Sequence, residues 1–226
     1  EGVKYAEIND LDSVKALLNE KTAAIIVEPV QGEGGVYVCS KEFLTGLRKL
    51  CDERDIALIL DEVQCGMGRT GTIMTYFQYD ILPDILCLAK GIGAGFPMGA
   101  FVANKKFAAA MEPGDHGSTY GGNPMAGQAC RTVFKILEDT KMIDYVQDIS
   151  EYLIEKLDDL QEEFPCTKER RGLGLMIGLE FDKPVKDIVK TCLDLGLIVV
   201  TAGPHVVRML PPFITTEKDV DQAIAI

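Results

Sequence analysis

Positive charge is what this 226-residue sequence most lacks: 23 lysines and arginines stand against 35 aspartates and glutamates, a formal net charge of −12. Nucleic acid and anionic membrane are therefore not expected as partners, because both attract a basic surface. Only His116 and His205 supply imidazole, so a histidine-based metal site is not expected, and no metal is assigned. The seven cysteines form no C-x-x-C pair. Cys39, Cys51, Cys87, Cys130 and Cys192 lie in apolar or helical surroundings and read as reduced core residues of a cytosolic protein. No apolar run is long enough to span a bilayer, no secretory signal is expected, and no internal repeat stands out. The length suits one large or two modest domains with ample core.

The chemistry concentrates between Leu58 and Gly99. Two short apolar runs, Ile56–Leu60 and Ile85–Ala89, each end in one charged residue, Asp61 and Lys90, and each is followed by glycine-rich chain. Runs of this length and composition read as strands buried on both faces of a parallel sheet. Ligands in such sheets sit beyond the carboxyl ends of the strands, which makes the acid and the amine candidates for one site. A lysine can form a Schiff base with an aldehyde cofactor, and pyridoxal phosphate also requires an acid beside its ring nitrogen. Taken singly, each residue is equally a solvated strand-end charge; the pair, with glycines that let backbone approach a ligand, favours chemistry. GIGAG does not read as a dinucleotide loop, because Phe96-Pro97 and a further strand-like run, Met98–Ala103, follow where a helix is required.

Elsewhere the periodicities give helices over Leu11–Glu20, from Ser40 to near Asp55, over Lys105–Met111, from Asn123-Pro124 to Asp139, and over Ile143–Phe164. The fourth is expected to turn Met125, Ala129, Val133, Phe134 and Leu137 inward. Ala23–Val30 is strand-like, and the QGEGG after it carries no side-chain bulk to hold it rigid. Glu33 in that loop reads on its own as a solvated acid. In GDHGSTYGGNP, Ser118 and Thr119 offer hydroxyls and backbone N–H groups that suit phosphate or a local cap. Arg69 reads as a brace for its loop. Leu173–Phe181, Leu197–Thr201 and Val206–Leu210 read as strands, Pro184–Leu195 as a helix stopped by Gly196, and Thr216 with Asp219 as a capping box. Arg208 alternates out of an apolar strand and needs an anionic partner, a salt bridge or a carboxylate ligand. The fold class expected is α/β, a mostly parallel sheet sandwiched by helices, with a small α+β C-terminal domain. The boundaries expected are 1–142 for the large domain, 143–164 for a linking helix and 165–226 for the small domain.

Four motifs in order, EPVQGEGG (Glu28–Gly35), LDEVQCGMGRTG (Leu60–Gly71), LAKGIGAGFPMGA (Leu88–Ala100) and GDHGSTYGGNP (Gly114–Pro124), resemble the class-III, fold-type-I aminotransferases. Within that family they are most similar to the acetylornithine and ornithine branch. The resemblance implies pyridoxal phosphate bound by Lys90, with Asp61 at its ring nitrogen, Val63 on a ring face, Gln64 near the phenolic oxygen and Ser118 and Thr119 toward phosphate. It implies that the last two act across a homodimer with a shared site, and that Glu33 gates Arg208, the substrate-carboxylate binder. The activity implied is transfer of an amino group from N-acetylornithine to 2-oxoglutarate in arginine biosynthesis. The alternatives are ornithine, succinylornithine or 4-aminobutyrate as donor, a catalytically incomplete dimerisation or scaffold fragment, or a small-molecule sensor. The resemblance also implies that an N-terminal half precedes this chain, so that the piece alone is expected to be inactive.

Overall fold

The computed structural model describes residues 2–226, so Glu1 of the expected 1–142 domain lies outside the described residues. The chain forms two compact units. One takes the chain up to Pro29 with Cys39–Met67 and Thr75–Ile136; the other takes Val30–Val38, Gly68–Met74 and Leu137–Ile226. This division differs from one cut at 142 and 164, because two early loops, 30–38 and 68–74, pack with C-terminal residues.

The first unit is an α/β layer. Asp10 caps α1 (Leu11–Leu17), accepting from the Asp12 and Ser13 amides. The helix stops three residues before Glu20, at an extended Leu18. After β1 (Ala24–Val27) comes α2 (Lys41–Arg54), where Ser40 Oγ accepts from Phe43 N at 3.1 Å. The α2 stripe of Phe43, Leu44, Leu47, Leu50 and Cys51 is buried as its spacing predicts. β2 (Ala57–Asp61), β3 (Ile85–Leu88) and β4 (Ala100–Ala103) complete a sheet in the order β1-β2-β3-β4. β1, β2 and β3 run parallel, and β4 runs antiparallel to β3. Burial is greatest in β2; the edge strands leave Ile26, Phe101 and Val102 exposed.

The short helix α3 covers Lys105–Ala108. α4 (Pro124–Asp139) starts as expected, with Asn123 Oδ1 accepting from Ala126 N at 2.9 Å. Ala129, Val133, Phe134 and Leu137 are partly or fully buried as expected, and only Met125 departs, at 69% exposed. Ala126 and Leu137 are the buried positions, on a stripe that a 3.6-residue period carries through Cys130 and Val133.

The second unit is built on α5 (Met142–Glu163) and an antiparallel sheet. Its elements are β5 (Thr167–Leu173), β6 (Met176–Phe181), α6 (Lys186–Asp194), β7 (Val200–Thr201), β8 (Val206–Met209) and α7 (Glu217–Ala225). The strand order is β5-β6-β8-β7. α5, expected as a connector, supplies Val146, Ile149, Leu153 and Leu157 to a core shared with Leu175, Ile177 and Val220. Thr216 and Asp219 form the capping box that opens α7. LGLMIGLEF is a turn and one strand rather than a single strand. Gly174, at φ +55°, starts the two-residue reversal that pairs β5 with β6. No helix among the described residues is long and apolar enough to cross a membrane.

Two glycines in this unit separate crowding from backbone conformation. A Cβ on Gly172, at φ +132°, would stand 2.0 Å from the Met176 carbonyl oxygen, whereas one on Gly196, at φ +94°, meets nothing within 4 Å. Gly196→Ala is expected to cost about 1 kcal/mol, and Gly172→Ala more than about 4 kcal/mol, in denaturant unfolding of the full-length protein. Equal costs would mean that the β5–β6 pairing is not as described.

Candidate active site

In the first unit, parallel pairing decides where the acid and the amine lie. Asp61 is the last residue of β2 and stands in register with Cys87 of β3, and the Glu62 amide donates to the Cys87 carbonyl at 3.0 Å. β3 ends at Leu88, and Lys90 opens a single 3-10 turn, Lys90–Gly93, two residues later. Both groups therefore leave the carboxyl ends of adjacent parallel strands, which lie about 4.8 Å apart. Asp61 is half-buried and its Oδ1 accepts from Val63 N at 3.0 Å; among the described residues Oδ2 has no partner. Lys90 is exposed, and its ammonium makes no hydrogen bond or ion pair with the described residues. Its backbone is left-handed, at φ +48°, a conformation that costs a non-glycine residue on the order of 1–3 kcal/mol and that gathers at functional sites. Gly91 follows, where a Cβ would come within 3.1 Å of Met67 Cβ, so the loops after β2 and β3 approach closely there.

Val63 and Gln64 lie half-buried on the turn after Asp61. Ser118 and Thr119 are exposed, on a loop between glycines at φ +108° (Gly114) and +69° (Gly122), and make no hydrogen bond to Asp61 or Lys90. The structure thus brings Asp61, Val63, Gln64 and Lys90 to one end of the sheet and leaves the two hydroxyls outside that group. His116 packs edge-on against Phe101, with ring centroids 6.1 Å apart. Burial pushes the thiols of Cys39 and Cys51 up to about 12 and about 11, far from the thiolate form that a nucleophile needs.

Sequence reasoning passed over Glu62. It is 1% exposed, and its two carboxyl oxygens accept from Thr75 N and Tyr76 N, both at 2.7 Å. Thr75 Oγ1 in turn donates to the Cys65 carbonyl at 2.7 Å. A buried acid one residue beyond the candidate acid thus ties down the loop after β2. The available signal was the adjacent acidic pair at a strand end, where alternation sends one side chain to each face.

In the second unit, Arg208 of β8 is 8% exposed, and its Nη1 donates to the Gly32 carbonyl at 2.6 Å and to Glu33 Oε1 at 2.8 Å. The Glu33 side chain is 76% exposed. The loop that carries it is held, contrary to the expectation from its glycines. A bridge joins Val30 to Val38, Gln31 N donates to the Tyr37 carbonyl at 2.9 Å, and Arg171 Nε donates to the Gly35 carbonyl at 2.7 Å. Arg69 braces its loop as expected, with Nη1 donating to the carbonyls of Leu175 at 3.2 Å and Pro211 at 2.5 Å. Its guanidinium lies over Phe213, and burial draws its pKa down to about 10.

The model of the class-III aminotransferase family matches residues 3–226. Acetylornithine aminotransferase of Clostridium acetobutylicum is 47% identical over 99% of this chain and 58% of its own length. Succinylornithine transaminase of Yersinia enterocolitica is 40% identical over 99% of this chain and 55% of its own length. Among solved structures, N-acetylornithine aminotransferase from Stenotrophomonas maltophilia aligns with a TM-score of 0.86 at 36% identity, covering 98% of this chain and 60% of that one. Ornithine delta-aminotransferase of Plasmodium falciparum aligns with a TM-score of 0.89 at 34% identity, covering 96% and 57%. The chain spans somewhat over half the length of the curated relatives it matches.

Glu62 also carries a pH signature. Burial raises its carboxyl from the ordinary 4.5 to about 7, outweighing the two amide hydrogen bonds that favour the charged form. The folded state then binds this proton more tightly than the unfolded state does. The stabilisation is complete below about pH 4.5, falls away as the pH rises to about 7, and amounts to on the order of 3 kcal/mol. In urea unfolding of the full-length protein, wild type minus Glu62→Gln is expected to show this decline between about pH 4.5 and 7 and a plateau above. A difference that is flat across that window would contradict it.

Proposed function

The chain belongs to the class-III aminotransferases, and from that membership we propose that the full-length protein transfers the amino group of N-acetylornithine to 2-oxoglutarate in arginine biosynthesis. The observation that carries the reading is the half-buried carboxylate of Asp61 and the unpartnered amine of Lys90 at the carboxyl ends of adjacent parallel strands. The donor set fits pyridoxal phosphate. Asp61 has one oxygen committed to Val63 N and the other open to a ring N–H, and Lys90 has an exposed amine able to meet an aldehyde. When bound, the cofactor supplies an aldehyde that captures amines and a ring that accepts electrons from the substrate carbon.

The residues of the chain do the rest. Asp61 holds the proton on the ring nitrogen by charge and hydrogen bonding. Val63 would hold one face of the ring, and Gln64 would hydrogen-bond near its phenolic oxygen. With the cofactor bound, Lys90 Nζ would take the proton from the substrate carbon as general base and hand it, as general acid, to the cofactor's aldehyde carbon. Ser118 and Thr119, on an exposed loop, complete the phosphate site of a second copy in a homodimer. Arg208 holds the α-carboxylate of 2-oxoglutarate or glutamate as a planar fork, and Glu33 competes for the same guanidinium when an ω-amine donor is to be used. All seven cysteines are free thiols, which supports a reducing, cytoplasmic setting.

Succinylornithine is the second donor reading, favoured by the 40% identity to the Yersinia enterocolitica enzyme. Rates with the two acylated donors on the full-length enzyme separate them. Borohydride reduction of the holoenzyme followed by peptide mapping is expected to leave the pyridoxyl mass on Lys90 alone. Lys90→Ala is expected to lower turnover by about 10²–10⁴. Asp61→Asn is expected to lower it by about 10²–10³. A label on another lysine, or full turnover in Lys90→Ala, overturns the assignment, and absence of any label supports a non-enzymatic role.

A further inference from the structure

Glu62 is the buried acid that the proposed chemistry leaves unused, and within the first unit each of its polar atoms is engaged. Its amide donates to the Cys87 carbonyl of β3 at 3.0 Å, and its carbonyl accepts from Gly66 N at 3.0 Å. Its carboxyl oxygens accept from Thr75 N and Tyr76 N, both at 2.7 Å. One residue thus joins the end of β3, the turn after β2 and the 75–76 turn. Thr75 Oγ1 fastens the same turn a second time, donating to the Cys65 carbonyl at 2.7 Å, with both residues buried. Position 66 has no room for a side chain: a Cβ would stand 2.8 Å from the Glu62 carbonyl oxygen and 3.0 Å from Glu62 Oε2.

The residue type is informative. An apolar side chain would be cheaper to bury at 1% exposure, yet would leave two inward N–H groups without acceptors. Glutamine has the same shape but a single acceptor oxygen, so its NH2 would face one of the two N–H groups. Among side chains of this size only a carboxylate receives both. The turn so fixed is the one that orients Asp61. That residue is half-buried, and its Oδ1 accepts from Val63 N at 3.0 Å, a bond made only while residues 61–63 keep this course. Packing alone leaves a half-buried carboxylate several rotamers, and the Val63 amide selects one of them.

We propose that Glu62 is a positioning residue for the cofactor acid: by clamping the 62–66 turn to the 75–76 turn it holds the Val63 amide against Asp61 Oδ1, and so keeps Asp61 Oδ2 available to the ring nitrogen. This rests on the reading of Asp61 as the partner of that nitrogen. Glu62 acts through Asp61 and touches neither cofactor nor substrate. When the clamp is lost, Asp61 stays in place as an acid but spends less time in the orientation that keeps the proton on the ring.

The test uses the full-length protein at a pH above the Glu62 titration at about 7, where the carboxyl is ionised. In the apoprotein, Glu62→Gln is expected to speed hydrogen exchange at Val63 N by about tenfold or more. In the holoenzyme loaded with pyridoxal phosphate carrying nitrogen-15 in its ring, the ring signal is expected to move toward its unprotonated position, as in Asp61→Asn but by less. The half-reaction with N-acetylornithine is expected to slow by about ten- to a hundredfold. In the Asp61→Asn background, Glu62→Gln is expected to add less than about twofold. A ring signal that stays in place in Glu62→Gln, or losses that multiply in the double variant, overturn the positioning role and leave the Asp61 reading intact. A ring signal and a rate both unchanged in Asp61→Asn remove that reading, and the proposal with it. Should Glu62→Gln fail to fold, Thr75→Val removes the second fastening of the same turn and is held to the same outcomes.

Discussion

Strands laid parallel must all finish at the same edge of their sheet, and the chemistry proposed for this protein depends on that constraint. β2 and β3 run side by side in one direction, with Asp61 opposite Cys87, so the chain leaving one strand emerges beside the chain leaving the other. An antiparallel pairing of the same two segments would send the carboxylate and the amine to opposite edges. The hydrogen-bonded ladder, more than any contact between the two side chains, makes them neighbours. The β2 exit is stiffened in turn by Glu62, whose buried carboxyl collects two backbone amides from the 75–76 turn. The loop that carries Val63 and Gln64 is thus pinned by a buried acid.

The second unit solves a different problem. Burying a guanidinium is costly unless acceptors meet its donors, and β5 and β8 each bury one, Arg171 and Arg208. Loop carbonyls supply acceptors without adding charge, and the glycines of QGEGG let the backbone come close enough to do so. The loop thus meets part of the arginines' demand, and Arg171 Nη2 is left buried without a hydrogen bond. Glu33 is the one charged side chain on the loop, and it points to where solvent can compete for it.

Features governed by local chemistry were legible in the sequence. Ser40, Asn123 and Thr216 with Asp219 each cap the helix that their residue type announces, because the interaction spans only three residues. The apolar runs that end at Asp61 and Lys90 were equally plain, since a buried strand has to be continuous in its hydrophobicity. β5 was not legible: TKERRGL has no apolar alternation, and its strand state comes from β6 across a glycine reversal and from acids that meet its arginines. The firmness of the QGEGG loop was hidden for the same reason, because its anchors, Arg171 and Arg208, lie more than 130 residues away. On α4 only Met125 was misjudged: the buried position in the first turn is its neighbour Ala126, roughly 100° round the helix, while the rest of the stripe was read as it stands. The grouping of loops 30–38 and 68–74 with the C-terminal unit is likewise a matter of partners distant in sequence.

The left-handed backbone at Lys90 has an implication for how this position can change. The residue best suited to that geometry is glycine, which would relax the turn and at the same time remove the amine to which the proposed function assigns the capture of an aldehyde. Conformational ease and reactivity pull in opposite directions at a single site. Drift toward a sturdier fold at residue 90 therefore leads toward a protein that keeps its shape and gives up the chemistry proposed for it.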